Sequence, residues 1–104
     1  MFSYRLQEQD GRMVVYCEGD IDIDAGDMIE EQLEPALQTQ EQVVLNLDQV
    51  HFVDSSGIGL LIGLVQGLQE QERIVLLEHV QPEVMEVFEL LQLDEILGKD
   101  VFSN

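Results

Sequence analysis

The sequence predicts an α/β fold in which helices pack on a mixed sheet of four to five strands. An N-terminal pair of apolar segments is joined by Asp10-Gly11, two further apolar runs rich in Val, Ile and Leu follow, and segments of helical periodicity separate them. Asp-Gly favours a two-residue hairpin turn, whereas strand–helix–strand units form right-handed parallel crossovers. One hairpin and two crossovers therefore give the element order β-β-α-β-α-β-α.

The first two strands form the predicted hairpin. Apolar residues alternate at Phe2, Tyr4 and Leu6, which is typical of a half-buried strand. The run RMVVYCEG, which follows Asp10-Gly11, predicts an antiparallel partner for it.

The first helix is predicted from the helical spacing of five apolar residues, which are Met28, Ile29, Leu33, Ala36 and Leu37. Asp24 and Asp27 are alternative candidates for its N-cap. Pro35 predicts a kink or an early end, because proline inside a helix costs about 3 kcal/mol.

The C-terminal half alternates buried strands with helices. The runs VVLNL at 43–47 and RIVLL at 73–77 are continuous and apolar, as in strands covered on both faces. The apolar stripe of a helix over 55–70 comprises Ile58, Leu61, Val65 and Leu68, widened by Leu60 and Leu64. A third helix is predicted to begin at Pro82, with one face formed by Val84, Val87, Phe88 and Leu91. The tail LDEILGKDVFSN is expected to form a last strand or helical turn.

Three glycines at a spacing of four residues mark one side of the predicted helix over 55–70. Gly59, Gly63 and Gly67 each cost roughly 1 kcal/mol against alanine in a helix. We expect this side to pack closely on the sheet or on a neighbouring helix.

Charge is the strongest compositional feature. Four basic residues against 22 acidic ones give a net charge of −18. Such a surface repels phosphate backbones and anionic membranes, so we expect neither nucleic acid nor membrane as a partner. It favours a basic partner surface. Residues 1–104 fit one small domain, and we expect it to be cytoplasmic, since it contains neither a signal peptide pattern nor a run of ~20 apolar residues.

Two segments resemble ligand motifs and fail the chemical test. Asp20, Asp22, Asp24 and Glu31 take positions 1, 3, 5 and 12 of a calcium loop, but the sixth position, which requires glycine, is Ala25. The run GIGLLIG lacks the third glycine of a dinucleotide fingerprint, and no phosphate-loop lysine is present. The aspartates of the first segment are better interpreted as capping acids on a solvent-exposed connection between a strand and a helix. We therefore predict no metal and no cofactor.

The stretch FVDSSGIGLL places two hydroxyls at the start of a helix. A catalytic serine is disfavoured, because no G-x-S-x-G elbow is present and the candidate bases are His51 and His79. Cys17 lies in an apolar run and is predicted to be a buried thiol. A serine here either caps the helix or accepts a phosphate, whose charge the free N–H groups of a helix N-terminus accommodate.

The segment VVLNLDQVHFVDSSGIGLLIGL resembles the signature of STAS domains, in particular that of bacterial anti-sigma factor antagonists. Asp54-Ser55-Ser56-Gly57-Ile58-Gly59 is similar to the family's Asp-Ser-Ser/Thr-Gly-Leu-Gly. Gly19-Asp20-Ile21-Asp22 upstream and IVLLEHVQPEVMEVFELLQL downstream extend the resemblance to nearly the whole chain. The chain departs from the family pattern at Leu91-Gln92-Leu93, where many relatives have Ser/Thr-Gly-Leu.

The resemblance implies a STAS-type fold and a phosphorylation-switched binding protein that is not an enzyme. In its unphosphorylated form such an antagonist binds an anti-sigma factor serine kinase and releases a sigma factor. The kinase phosphorylates the first serine, here Ser55, and a metal-dependent serine phosphatase reverses the step. The implied partner-binding residues are Asp22, Asp54, Ser55, Ser56 and Gly57. The alternative is a STAS subunit or scaffold for another partner, in a stress-signalling complex or beside a transporter.

Overall fold

A four-stranded mixed sheet forms the centre of the computed structural model, which describes residues 1–102. The strands are β1 (Ser3–Gln9), β2 (Arg12–Glu18), β3 (Gln42–Gln49) and β4 (Ile74–Glu78). They lie in the order β1-β2-β3-β4; the β1–β2 pair is antiparallel and the other two pairs are parallel. Phe102 adds a single parallel bridge to Leu77. The predicted hairpin and both parallel crossovers are confirmed.

Four helical segments connect or follow the strands. They are α1 (23–37), α2 (Ser55–Glu70), α3 (Pro82–Leu90) and α4 (Leu93–Leu97). A 3₁₀ turn over Lys99–Val101 precedes the bridge at Phe102. The tail therefore contains both of the predicted alternatives, a helical turn and a strand-like bridge. Among residues 1–102, no helix has the length and hydrophobicity that a membrane crossing requires.

The hairpin turn has the backbone that its sequence predicts. Asp10 and Gly11 have φ angles of +54° and +80°. A type I′ turn needs positive φ at both central residues, and aspartate and glycine tolerate that region best. The turn sets the pairing register, in which Gln9 lies opposite Arg12 and Tyr4 opposite Cys17.

The main core lies between the helices and one face of the sheet. Alternate strand residues point to this face, namely Val15, Cys17, Val43, Leu45, Leu47, Val75 and Leu77. The helices cover them with Ile29, Leu33, Leu37, Ile58, Leu61, Leu64, Val65, Leu68, Val84, Phe88, Leu93 and Leu97. All the predicted stripe residues of α2 are buried except Leu60, which is half-buried.

α1 begins and ends differently from its prediction. Asp22, not Asp24 or Asp27, caps it, since the Asp22 carboxylate accepts from the Asp24 amide at 3.0 Å. The helix also continues through Pro35 to residue 37. π-Helical hydrogen bonds over Met28–Leu33 precede the proline, and the wider turn accommodates a residue that lacks an N–H donor and crowds the preceding turn.

The expected packing of the glycine side of α2 is wrong at Gly59 and Gly63. It holds in part at Gly67, which is half-buried and where a Cβ would lie 3.1 Å from a carboxylate oxygen of Glu34 on α1. Gly59 and Gly63 are exposed, and a Cβ built on either would meet nothing within 4 Å. Each lies two residues from the buried Leu61, which places it about 200° around the helix and hence on the opposite side. The large apolar residues decide which face is buried, and Gly59 and Gly63 face solvent.

The predicted face of the third helix is correct at Val84 and Phe88, which are buried, and wrong at Leu91, which is 47% exposed. α3 ends at Leu90, and Gln92 turns the chain with a left-handed φ of +54°. Leu93 then fills the core instead of Leu91.

Candidate functional site

Two loops meet where α1 and α2 begin. Ile21, before α1, forms a parallel bridge with Val53, before α2. The Ile21 amide donates to the Phe52 carbonyl at 3.0 Å, and the Asp54 amide donates to the Ile21 carbonyl at 3.3 Å. Because both loops follow neighbouring parallel strands, they lie at the same edge of the sheet. The N-termini of α1 and α2 are therefore held next to each other.

An aspartate caps each of these two helix ends. The Asp54 carboxylate accepts from the Gly57 amide at 2.8 Å, as the Asp22 carboxylate does from Asp24. A side-chain acceptor at the N-cap satisfies one of the free amides of the first turn and is worth ~1 kcal/mol. Two of the predicted partner-binding residues thus also have a structural role, which is to fix where the helices start.

Gly57 allows the close approach of the two loops. A Cβ at this position would lie 1.8 Å from the Ile21 carbonyl oxygen and 3.0 Å from a methyl carbon of Val53. No side chain fits there without a shift of the backbone. The glycine of the Asp-Ser-Ser-Gly stretch is therefore required by packing, and it holds the serines beside α1.

Both serines face solvent in the first turn of α2. Neither is the N-cap, because Asp54 has that role, so the capping interpretation of the hydroxyls is wrong. The amides of the first turn have no partners within the helix, and their positive end favours an anion.

Apolar side chains flank the serines, and sequence reasoning missed them. Ile23 is 73% exposed and Phe52 is 51% exposed. Ile23, Ser56, Gly59 and Leu60 line a shallow depression of about 450 Å³, together with Gly26, Asp27 and Glu30. The sequence DIDID contained one signal for Ile23, because two isoleucines alternate with aspartates there just before a helix. In the structure Ile21 enters the core and Ile23 does not. Such a surface suits contact with another protein.

The arrangement does not support covalent catalysis. The imidazole of His51 lies 3.6 Å from the carboxylate of Glu83 on α3, so its contact is with α3 and not with Ser55. Cys17 is buried, as predicted, and burial raises the pKa of its thiol to about 12. Within residues 1–102, no three His, Cys, Asp or Glu side chains cluster in a way that could hold a metal ion.

The fold and this surface define a small α/β protein with an exposed serine pair at a helix N-terminus. The chain belongs to the STAS domain family, whose model matches residues 3–104. An anti-sigma F factor antagonist from Paenibacillus polymyxa is 27% identical over 94 residues, which cover 88% of this chain and 80% of the relative. An anti-sigma-B factor antagonist from Listeria monocytogenes is 26% identical over 98 residues, which cover 91% and 85%.

Solved structures share the fold. The anti-sigma factor antagonist SpoIIAA in its unphosphorylated form superposes with a TM-score of 0.71 at 24% identity, covering 98% of this chain and 89% of that one. SpoIIAA from Bacillus is also known in its phosphorylated form, which gives a TM-score of 0.66. A sulfate transporter family protein from Wolinella succinogenes gives 0.78 at 18% identity, covering 92% and 79%. At these sequence identities, the structural matches show that the fold is shared.

Proposed function

We propose that this protein is a cytoplasmic anti-sigma factor antagonist that, when unphosphorylated, binds an anti-sigma factor kinase and so releases a sigma factor. The observation that carries the proposal is Ser55, which is exposed at the first position of α2, directly after the Asp54 cap. Relatives that match most of the chain are named anti-sigma factor antagonists, which supports the same partner class.

The docking face that we propose combines apolar contact with a free hydroxyl. Ile23 and Phe52 supply the apolar area, and exposed Gly59 lets a partner backbone approach α2 closely. In this proposal both Ser55 and Ser56 contact the partner. The remaining three of the predicted partner-binding residues, Asp22, Asp54 and Gly57, position the two helix ends.

Phosphorylation of Ser55 changes this face without unfolding it. A phosphate adds nearly two negative charges and three acceptor oxygens, and the N-terminus of α2 accommodates them. A docked partner meets the new charge in a desolvated contact, where a charge without a counterpart costs on the order of 2–4 kcal/mol. A metal-dependent serine phosphatase restores the binding form.

The switch is tested with the purified chain, ATP and a serine kinase of the anti-sigma factor class. Mass spectrometry should locate one phosphate, on Ser55. Calorimetry should then show that phosphorylation weakens kinase binding by roughly 30- to 700-fold, which is 2–4 kcal/mol at 1.4 kcal/mol per tenfold, with a nearly unchanged melting temperature. Ser55→Asp should lose part of the affinity, because one carboxylate carries less charge than a phosphate.

Matched variants separate the two serines. Ser55→Ala should still bind the kinase well and escape phosphorylation, whereas Ser56→Ala should still be phosphorylated. A phosphate found only on Ser56 contradicts the assignment. If the unphosphorylated chain shows no affinity for such a kinase, the alternative of a STAS subunit or scaffold for another partner is favoured.

A further inference from the structure

The junction of α3 and α4 exposes three large apolar side chains within seven consecutive residues. Leu90 is 82% exposed, Leu91 is 47% exposed and Ile96 is 44% exposed. The turn at Gln92 creates this patch, since it directs Leu93 and Leu97 into the core and leaves the other three outside. We call these three residues, with Glu86, Glu89 and Glu95, the C-terminal surface.

Carboxylates surround the exposed leucines. Glu86, Glu89 and Leu90 line a depression of about 500 Å³. Glu89 also lines a neighbouring depression of about 570 Å³, whose lining includes Phe88, Phe102, Asp94, Glu95 and Lys99. Four carboxylates and one ammonium give this region a net charge of −3. The C-terminal surface is therefore apolar at Leu90 and strongly negative around it.

We propose that the C-terminal surface binds a basic amphipathic helix of a partner protein. A helix that presents leucine-like side chains on one face and lysine or arginine beside them complements both the apolar patch and the carboxylates. A second copy of this chain is disfavoured, because each copy carries a net charge of −18 and would bring the same carboxylates together. An anionic membrane is repelled by the same charge.

The α4 end of the C-terminal surface lies far from the serines. The Gln69 side-chain amide, near the end of α2, donates to the Leu97 carbonyl at the end of α4 at 2.9 Å. Fourteen residues of α2 separate Ser55 from Gln69, which is about 21 Å at a rise of 1.5 Å per residue. This exceeds the screening length of about 8 Å at physiological salt. At the end of α4 the charge of a phosphate on Ser55 is therefore screened, and we expect Ser55→Asp to leave binding there nearly unchanged.

The test uses three synthetic 18-residue peptides and NMR amide shifts of the full chain. One peptide has leucine at i, i+3, i+4 and i+7 with lysine elsewhere; the second replaces lysine with glutamate; the third keeps the lysines and scrambles the leucines. The first should shift amides over 85–97 and bind at least tenfold more tightly than either of the others. Equal binding of the scrambled peptide, or shifts clustered at Ile23 and Phe52, would overturn the proposal.

Variants make the test specific. Leu90→Ser/Leu91→Ser should weaken binding of the Leu/Lys peptide at least tenfold, whereas Leu6→Ser/Ile74→Ser, which removes exposed apolar side chains from the sheet, should leave it unchanged. Glu86→Gln/Glu89→Gln should weaken binding and flatten its salt dependence, and it serves as the second variant if the double serine variant fails to fold. Ser55→Asp should bind as the native chain does. A loss of binding in Ser55→Asp, or full binding by the leucine and glutamate variants, overturns the proposal.

Discussion

A methyl group added at Gly57 would lie 1.8 Å from the Ile21 carbonyl oxygen, whereas one added at Gly63 would meet no atom within 4 Å. Both glycines lie on α2, and their spacing in the sequence does not distinguish them. The contact at Gly57 is with backbone, which cannot rotate away as a flexible side chain does. At the residue scale, therefore, one glycine is required by the tertiary contact, and the other costs helix stability with no packing gain.

Gly57→Ala and Gly63→Ala should change stability in opposite directions. Gly57→Ala should lower the free energy of unfolding by about 1–3 kcal/mol, through a backbone shift of the overpacking kind. Gly63→Ala should raise it by up to about 1 kcal/mol, because alanine is the better helix former at an exposed site. Urea denaturation of the two variants measures both. Equal effects of the two substitutions would contradict the packing that we describe at Ile21.

At the scale of secondary structure elements, the site is built by the positions at which α1 and α2 begin. Asp54 determines where α2 begins, and the Ile21–Val53 bridge places the start of α1 beside it. π-Helical bonds let α1 continue through Pro35 to the core residue Leu37. The surface around Ser55 and Ser56 thus depends on the two helix starts and on the paired loops that hold them together.

Asp54→Ala should lower the free energy of unfolding by ~1 kcal/mol, because the Gly57 amide loses its capping acceptor. Asp54→Asn should cost less, since an amide oxygen accepts the same hydrogen bond. Asp27→Ala is the matched control: Asp27 is exposed and makes no capping hydrogen bond, so its effect should stay within about 0.5 kcal/mol. Thermal and urea unfolding provide the comparison, and equal losses in Asp54→Ala and Asp27→Ala would remove the capping role.

The whole molecule carries a charge of −18 on 104 residues. Basic groups offset little of it: Arg12 lies 4.0 Å from Glu78 and Arg5 lies over the ring of Tyr16. The Arg12–Glu78 pair is half-buried and long, so it contributes little to stability. Repulsion among the remaining carboxylates therefore opposes the compact state, and dissolved salt screens it.

Raising NaCl from about 20 mM to about 500 mM should stabilise the chain against urea, because the Debye length shrinks well below the spacing of most surface charges. Glu30→Gln/Glu31→Gln lowers the magnitude of the charge by two, from −18 to −16, and should show a smaller gain from salt. If the free energy of unfolding falls as the NaCl concentration rises, repulsion among the carboxylates is not the main electrostatic effect on stability.

The sequence by itself determined the fold class, the hairpin and the limits of α2. Asp10-Gly11, the two apolar strand runs and the stripe from Ile58 to Leu68 are local patterns, and local backbone preference together with hydrophobic periodicity suffices to read them. The expectation that both faces of the run at 73–77 are covered is wrong, since Ile74 is 55% exposed. The Asp-Ser-Ser-Gly stretch likewise pointed to hydroxyls at a helix N-terminus.

Only the tertiary structure decided which side of a helix faces solvent and which acid caps it. Gly59 and Gly63 of α2 are exposed because larger apolar residues occupy the core. Asp22 caps α1 because the Ile21–Val53 bridge fixes the chain direction before it. Ile23, Phe52 and Leu91 are exposed for a similar reason: a core of this size accepts some apolar residues of each segment and leaves the others outside. These outcomes depend on contacts between segments distant in the chain, which periodicity within one segment does not contain.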